Sequence, residues 1–141
     1  MIRIGVDLGG TKIEAAALGA DGAILVRKRI ASTTRYTAMI ESIRTLAAEV
    51  RQASGCGDVS IGVGHPGSIN PRTGLVRNAN SSQLNGQPLE RDLSAALGQA
   101  VRCANDANCF ALSEATDGAG AGAHCVFGVI TGTGVGGGIV M

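Results

Sequence analysis

The sequence predicts an α/β fold in which helices pack on a mixed β-sheet. Residues 2–8 alternate apolar and polar side chains, which is the pattern of a half-buried strand. Gly9 and Gly10, which both tolerate a positive φ, then predict a tight hairpin turn into a second strand. Beyond residue 36 the apolar residues repeat at a helical period, and helices alternate with short apolar strands. Antiparallel strands therefore come first, and helix–strand pairs follow.

Each expected element has a local signal. In the first helix, Met39, Ile43 and Val50 fall on one face. Pro88 suits the first helical position because no N–H needs a partner there. In chain order we expect strands at 2–8, 12–18 and 23–30, a helix at 36–53, a strand at 59–64, a turn at 71–74, a helix from Pro88 to Gly98, a strand at 100–104, a helix at 105–115, and strands at 125–130 and 136–141.

Composition argues against a nucleic-acid partner. The formal net charge is +1, aromatic residues make up 2%, and no run of basic residues occurs. Nucleic-acid binders normally show a basic face or stacking aromatic side chains. The 22 glycines instead cluster between apolar runs. Such clusters favour tight turns where the backbone approaches a ligand.

The cysteines predict neither a disulfide framework nor a zinc knuckle. Cys56, Cys103, Cys109 and Cys125 lie far apart, without a CxxC pair. We therefore expect reduced thiols in a cytoplasmic protein. The sequence shows no secretory signal and no stretch long enough to cross a bilayer, so no membrane association is expected.

A first candidate site follows the first strand, at Asp7, Gly9, Gly10, Thr11 and Lys12. Glycine turns expose backbone N–H groups that phosphate oxygens can approach. A neighbouring carboxylate can hold Mg²⁺, usually through water. The alternative is an ordinary hairpin with a solvent-facing aspartate, and this motif alone does not decide between the two.

A second glycine turn, at Thr131, Gly132, Thr133 and Gly134, lies between two apolar strands. It is not a Walker loop, because no Gly-Lys-Ser/Thr follows, and it lacks the strand-to-helix context of a dinucleotide fingerprint. A flexible linker is the alternative, but linkers are seldom bracketed by apolar strands. Two such turns in one short chain suit two contacts to one polyphosphate.

Asn105 and Asp106 lie where a short strand meets a helix. Helix capping is the simplest interpretation, although Asn105 can cap while Asp106 faces a cleft. A carboxylate there can orient a hydroxyl and accept its proton late in phosphoryl transfer. Asn78 and Asn80 suit a polyol site, but a surface loop explains them equally simply. The lone His65 is interpreted as structural.

These motifs, in this order, resemble the ROK family of sugar kinases and sugar-sensing repressors. The resemblance runs through IGVDLGGTKIEAAAL, VGHPGSINPRTGLVRNANSSQLNGQPLERDLSAAL, VRCANDANCFALSEATDGAGAG and VFGVITGTGVGGGIV, nearly all of the 141 residues. NANSSQLNGQPLERDLSA is most similar to the fructokinase branch. CFALSEA and GTGVGGG are equally at home in the N-acetylglucosamine kinase branch.

The resemblance implies an actin-like, ribonuclease-H-type ATPase domain that phosphorylates a hexose at its terminal hydroxyl with ATP and Mg²⁺. Fructose, giving fructose 6-phosphate, is the expected substrate; N-acetylglucosamine, glucose or mannose is the alternative. Asp106 matches the family's catalytic base, and Asn105 matches its sugar-hydroxyl partner. Gly67 and Asn80 fall where the family lines the sugar pocket, and the two glycine turns match its phosphate loops.

The resemblance also implies that residues 1–141 are the N-terminal half of such a kinase. A zinc-binding cysteine cluster, the adenosine pocket and most of a homodimer surface belong to the other half. We therefore expect the 141-residue chain to have little activity alone. The alternative function is that of a sugar-responsive repressor of the family. Such repressors carry a helix-turn-helix ahead of the first motif, whereas only six residues precede Asp7, so a kinase is the expected function. His65 stands where the related kinases usually carry an aliphatic residue.

Overall fold

The computed structural model of the protein describes residues 1–55, 57–132 and 134–141. Every expected helix and strand is found, with ends shifted by one or two residues. The strands are β1 (Ile2–Leu8), β2 (Lys12–Leu18), β3 (Ile24–Ala31), β4 (Val59–His65), β5 (Ser68–Ile69), β6 (Val76–Arg77), β7 (Val101–Asn105), β8 (Val126–Thr131) and β9 (Val135–Val140); the helices are α1 (Tyr36–Ala53), α2 (Leu89–Leu97) and α3 (Asp106–Asp117). A short 3-10 helix at Ser82–Leu84 and the pair β5–β6 lie in a stretch that the sequence predicted only as polar.

The main sheet is mixed, as predicted, and has five strands in the order β3-β2-β1-β4-β7. β1, β2 and β3 pair antiparallel, whereas β4 runs parallel to both β1 and β7. The carboxyl ends of β1, β4 and β7 therefore meet at one edge. There Asp7 lies opposite Gly64, and His65 lies opposite Asn105.

The core fills one face of this sheet. Apolar side chains of the central strands pack against α1 and α2, which cover that face. Fully buried members of the core are Ile4, Leu8, Ile13, Met39, Ile43, Leu46, Val50, Leu89 and Leu93. Within residues 1–55, 57–132 and 134–141, no helix has the length and apolar character to cross a bilayer.

β8 and β9 form a separate antiparallel hairpin that packs on α3. Glycines make this close packing possible: a Cβ at Gly128 would lie 3.0 Å from the Ala111 Cβ, and one at Gly138 would lie 2.9 Å from the Ala107 carbonyl oxygen. The hairpin thus stands beside the main sheet, with its end turned toward the edge where the parallel strands finish.

The turn between β1 and β2 forms as predicted, but for another reason. Neither Gly9 nor Gly10 has a positive φ. Instead, the Gly9 N–H donates to the Lys12 carbonyl at 3.0 Å, and a Cβ at Gly9 would lie 2.7 Å from that same oxygen. Glycine is required here for close approach of the backbone.

Leu46→Ala should destabilise the fold strongly, because Leu46 is buried between α1 and the sheet. Truncation of a buried leucine loses transfer free energy and leaves a cavity, so we expect the free energy of unfolding to fall by about 2–5 kcal/mol. Urea denaturation measures this loss. Thr45→Ala, at an exposed neighbouring position, is the control; equal losses for the two variants would contradict the packing described.

Candidate functional site

A cleft of about 630 Å³ opens where the parallel strands end. Its walls come from the β1–β2 turn, the loop before α1, the segment between β4 and α2, the start of α3 and the β8–β9 turn. The lining residues are Leu8, Gly9, Gly10, Thr11, Thr34, Pro66, Gly67, Asn78, Asn80, Ser81, Gln83, Asn105, Asp106, Ala107, Ile130, Gly132, Gly134, Val135 and Gly136.

Most of the site residues expected from sequence meet in this cleft, although they are scattered along the whole chain. Those that line it are Gly9, Gly10, Thr11, Gly67, Asn80, Asn105, Asp106, Gly132 and Gly134. Asp7, Lys12 and Thr131 are not among its lining residues. Thr133 lies outside the described residues, as does Cys56.

Asn105 has two bonds that fix its side chain. It is the N-cap of α3, and its Oδ1 accepts from the Asn108 N–H at 3.2 Å, so the predicted cap is confirmed. Its Nδ2 donates to the Gly67 carbonyl at 2.7 Å. An amide has two N–H donors and two oxygen lone pairs, so one of each is left for a hydroxyl in the cleft.

Asp106 is the first residue of α3, beside this cap. Its Oδ1 accepts from the Ala107 N–H at 2.8 Å, and the side chain is half-buried. The positive end of the helix dipole favours a negative charge at this position. A carboxylate is therefore held at the bottom of the cleft by its own helix.

Asp7 lies close enough to Asp106 for their charges to interact. Its strand partner Gly64 has no side chain, and a Cβ there would lie 3.8 Å from the Asp106 Cα. The pKa of Asp7 is raised, first by burial and then by the negative charges of Asp106 and Glu14, with Lys12 opposing them. Part of the Asp7 surface remains in contact with solvent, which moderates these effects.

The Asp7 carboxylate fits Mg²⁺. It offers the oxygen ligands that this cation prefers, and a divalent cation would offset the burial and the neighbouring negative charges that raise the Asp7 pKa. Asp7 would hold the ion together with water and phosphate oxygens. Among the described residues, no group of three or more His, Cys, Asp or Glu side chains could hold a metal alone.

A loop held by Asn85 carries Asn78 and Asn80 to the cleft. The Asn85 side chain accepts from the Ala79 N–H at 2.9 Å and donates to the Ala79 carbonyl at 3.0 Å. Asn78 has a φ of 57°, which asparagine tolerates better than most residues. The residues on either side of Ala79 are thereby fixed as part of the wall.

The second glycine turn touches this asparagine loop. A Cβ at Gly134 would lie 2.6 Å from the Asn80 Nδ2, so any side chain there would collide with Asn80. A Cβ at Gly10 would lie 3.5 Å from the Ser81 Oγ. Both glycine turns therefore approach the same loop, at neighbouring residues.

Several lining residues carry no sequence signal of their own. Thr34 and Gln83 were not expected at the site, whereas Ser81 belongs to the polar stretch at residues 78–82 that suits a polyol site. The Gln83 Nε2 donates to the Thr33 carbonyl at 3.4 Å, which ties the loop that holds Thr34 to the 3-10 helix. Asn85 was also missed; its only local signal is the turn residue Gly86, with a φ of 78°.

The cleft thus combines glycine turns, which suit a phosphate-bearing ligand, with amides and the Asp106 carboxylate, which suit a hydroxylated ligand. The family model that matches residues 3–141 is that of the ROK family, and the chain belongs to this family. The N-acetyl-D-glucosamine kinase of Salmonella paratyphi C is 43% identical over 138 residues, covering 97% of this chain and 45% of the relative. That of Escherichia coli O139:H28 is 42% identical over 137 residues, covering 96% of this chain and 45% of the relative.

Solved structures agree with this assignment. A ROK family glucokinase from Streptomyces griseus, in complex with glucose and AMPPNP, matches with a TM-score of 0.89 and 32% identity, over 100% of this chain and 45% of that one. A ROK hexokinase from Thermus thermophilus matches with a TM-score of 0.83 and 29% identity, over 100% and 47%. The predicted actin-like ATPase fold is confirmed. The chain spans slightly less than half the length of these relatives.

Asp7→Asn should raise the melting temperature at neutral pH. A raised folded-state pKa means that stability is greatest with the carboxyl protonated and is lost as the pH rises through that pKa. The amide mimics the protonated form, and solvent screening limits the gain to about 0.5 kcal/mol, or about 2 °C.

The gain should disappear at a pH below 3.8, the ordinary value for this carboxyl. Thermal unfolding of both forms at neutral and acidic pH measures it. Asp58→Asn, an exposed aspartate outside the cleft, is the control. A lower melting temperature for Asp7→Asn at neutral pH would contradict the electrostatic description.

Gly67→Ala should destabilise the protein more than Gly74→Ala. The two glycines have nearly equal φ values, 76° and 72°, so both variants pay the same conformational cost of about 1–2 kcal/mol. Only at Gly67 would the new Cβ meet backbone, 2.5 Å from the Arg77 oxygen and 2.7 Å from the Ala79 nitrogen. Chemical denaturation compares the two, and equal losses would refute the close approach.

Proposed function

We propose that this chain forms the sugar- and phosphate-binding half of an ATP-dependent hexose kinase. One observation carries the proposal: Asp106 lines the same cleft as both glycine turns and the asparagines. Family membership and the similarity to kinases named for glucose and N-acetylglucosamine support it.

In the proposed reaction the sugar lies between the asparagine loop and the start of α3. Asn80 and the unused donor and acceptor of the Asn105 amide bind ring hydroxyls. Gly67 forms part of the wall of this sugar site. This places the terminal hydroxyl beside Asp106. Because the Asn105 side chain is short and already fixed by two hydrogen bonds, it orients the sugar at little further entropic cost.

The terminal hydroxyl oxygen attacks the γ-phosphorus of ATP, and the bond from that phosphorus to the β–γ bridging oxygen breaks, so ADP leaves. Asp106 accepts the hydroxyl proton. A helix-stabilised carboxylate is a weak base, but the loose transition state releases the proton late, so orientation matters more than basicity. Gly10 and Gly134 line the cleft, so phosphates can approach the backbone of both turns there. The Gly9 and Gly132 N–H groups donate to the Lys12 and Gly134 carbonyls and hold the turns in shape. Asp7 would hold Mg²⁺, which would supply positive charge to neutralise the phosphates.

We propose N-acetylglucosamine or glucose as the first substrates to test. The relatives reported above are named for these sugars and for hexoses in general, and none is named for fructose. The predicted fructose specificity rested on one stretch, residues 78–95, that contributes only part of the pocket. Competition among the sugars in a phosphorylation assay measures which of them is the preferred substrate.

We further propose that residues 1–141 need a second half for efficient turnover. The relatives are about twice as long. The family resemblance implies that the adenosine pocket and the zinc site belong to the other half. The 141-residue chain should bind sugar weakly and transfer phosphate slowly. Full turnover by the chain alone would contradict this.

Asp106→Asn should abolish transfer while leaving sugar binding nearly intact. The test joins residues 1–141 to the remaining half of the Salmonella N-acetylglucosamine kinase and measures ADP release. Loss of the base is expected to lower kcat about 10²- to 10⁴-fold, with a much smaller change in sugar affinity. Asp117→Asn, at the other end of α3, is the matched control.

Retained turnover in Asp106→Asn would overturn the assignment of the base. An active chimera that loses activity only in this variant would support the proposed reaction. Sugar binding without transfer, in both the parent and the variant, would favour a sugar-responsive regulator.

A further inference from the structure

His65 is a buried polar residue directly behind the cleft. It is the last residue of β4, its side chain is 1% exposed, and it lies opposite Asn105 in the parallel pairing with β7. It does not line the cleft itself. Its ring therefore acts on the cleft through the residues that follow it.

The geometry identifies which ring nitrogen carries the proton. The His65 Nδ1 is 2.8 Å from the Pro66 carbonyl oxygen. A carbonyl only accepts hydrogen bonds, so Nδ1 is the donor. Nε2 is buried and has no partner among the described residues, which leaves it as a bare lone pair. A proton on Nε2 would be buried without an acceptor.

A series of contacts leads from this ring to Asn105. The ring N–H fixes the Pro66 carbonyl and hence the plane of the peptide that joins Pro66 to Gly67. Gly67 then turns with a φ of 76°, and its own carbonyl accepts from the Asn105 Nδ2 at 2.7 Å. The orientation of the Asn105 amide thus depends on a peptide that His65 holds.

We propose that His65 is a positioning residue that sets the orientation of Asn105 for the sugar. This inference rests on the proposed function in one respect, that Asn105 contacts the sugar. Its structural part, the link from His65 to Asn105, is independent of any ligand.

The unpaired Nε2 makes the inference testable. Burying an unsatisfied polar atom costs stability. His65→Leu removes both that cost and the bond to Pro66, so the melting temperature should stay level or rise while sugar affinity falls. A residue that only supports the fold would lose stability and affinity together. His65→Asn keeps a side-chain N–H that can reach the Pro66 carbonyl.

The first measurement is the tautomer, read from a ¹H–¹⁵N spectrum of protein labelled at histidine. The chain has two histidines, and His124→Gln removes the exposed one, so the His65 signals are assigned directly. We expect a protonated Nδ1 and a bare Nε2. The opposite tautomer would overturn the proposal.

The second measurement is made without sugar: the rate at which the Asn105 side-chain amide protons exchange with water. His65→Leu should speed this exchange, and His65→Asn should leave it near the wild-type rate. An unchanged rate in His65→Leu refutes the link, whatever the protein binds. If His65→Leu does not fold, the exchange rate in His65→Asn and the tautomer of His65 test the link to Asn105 instead.

The third measurement is the dissociation constant for N-acetylglucosamine and glucose. His65→Leu should weaken binding of the preferred sugar about 3- to 10-fold, the effect of one misplaced hydrogen bond, and His65→Asn should restore it. Unchanged affinity in His65→Leu, or parallel loss of affinity and melting temperature that His65→Asn does not rescue, overturns the proposal. If no form binds either sugar while the exchange result holds, the proposed function fails and the link to Asn105 stands.

Discussion

The parallel pairing of β1, β4 and β7 is the constraint on which the cleft depends. It puts the carboxyl ends of the three strands at one edge, with Asp7 opposite Gly64 and His65 opposite Asn105. Because Gly64 has no side chain, the first residue of α3 can approach the strand next to it. A one-residue slip in either pairing would turn these side chains to the wrong face and separate the two carboxylates.

Small residues complete the cleft from the other side. α3 carries the β8–β9 hairpin on a surface of alanines and glycines, and a Cβ at Gly136 would lie 3.1 Å from the Ala107 Cβ. This close contact brings the second glycine turn against Asn80. Gly136 of β9 therefore serves helix packing, whereas Gly134 of the turn leaves room for Asn80. The proposed phosphoryl transfer requires mainly positioning and charge stabilisation, for which the close packing of these segments is suited.

The sequence predicts those features that leave a local pattern. Burial of one face makes β1 alternate, and the cap at Asn105 follows from its place before a helix. The bonds from Asn85 to Ala79 and from Gln83 to Thr33 leave no such pattern, since each joins segments that meet only after folding. The position of the β1–β2 turn was predicted correctly, but the reason why it needs glycine was not. Gly9 is required because the Lys12 carbonyl approaches it closely, and that contact forms only on folding.

The central claim is that two glycine turns and the start of α3 bind one nucleotide and one sugar in a single cleft. The most direct measurement is a titration of ¹⁵N-labelled protein, first with Mg²⁺ and a non-hydrolysable ATP analogue and then with N-acetylglucosamine. The account predicts that the nucleotide shifts the amide signals of Gly10 and Gly132, and that the sugar shifts those of Gly67 and Asn105. Shifts confined to residues outside the cleft, or no shifts with either ligand at millimolar concentration, would contradict it.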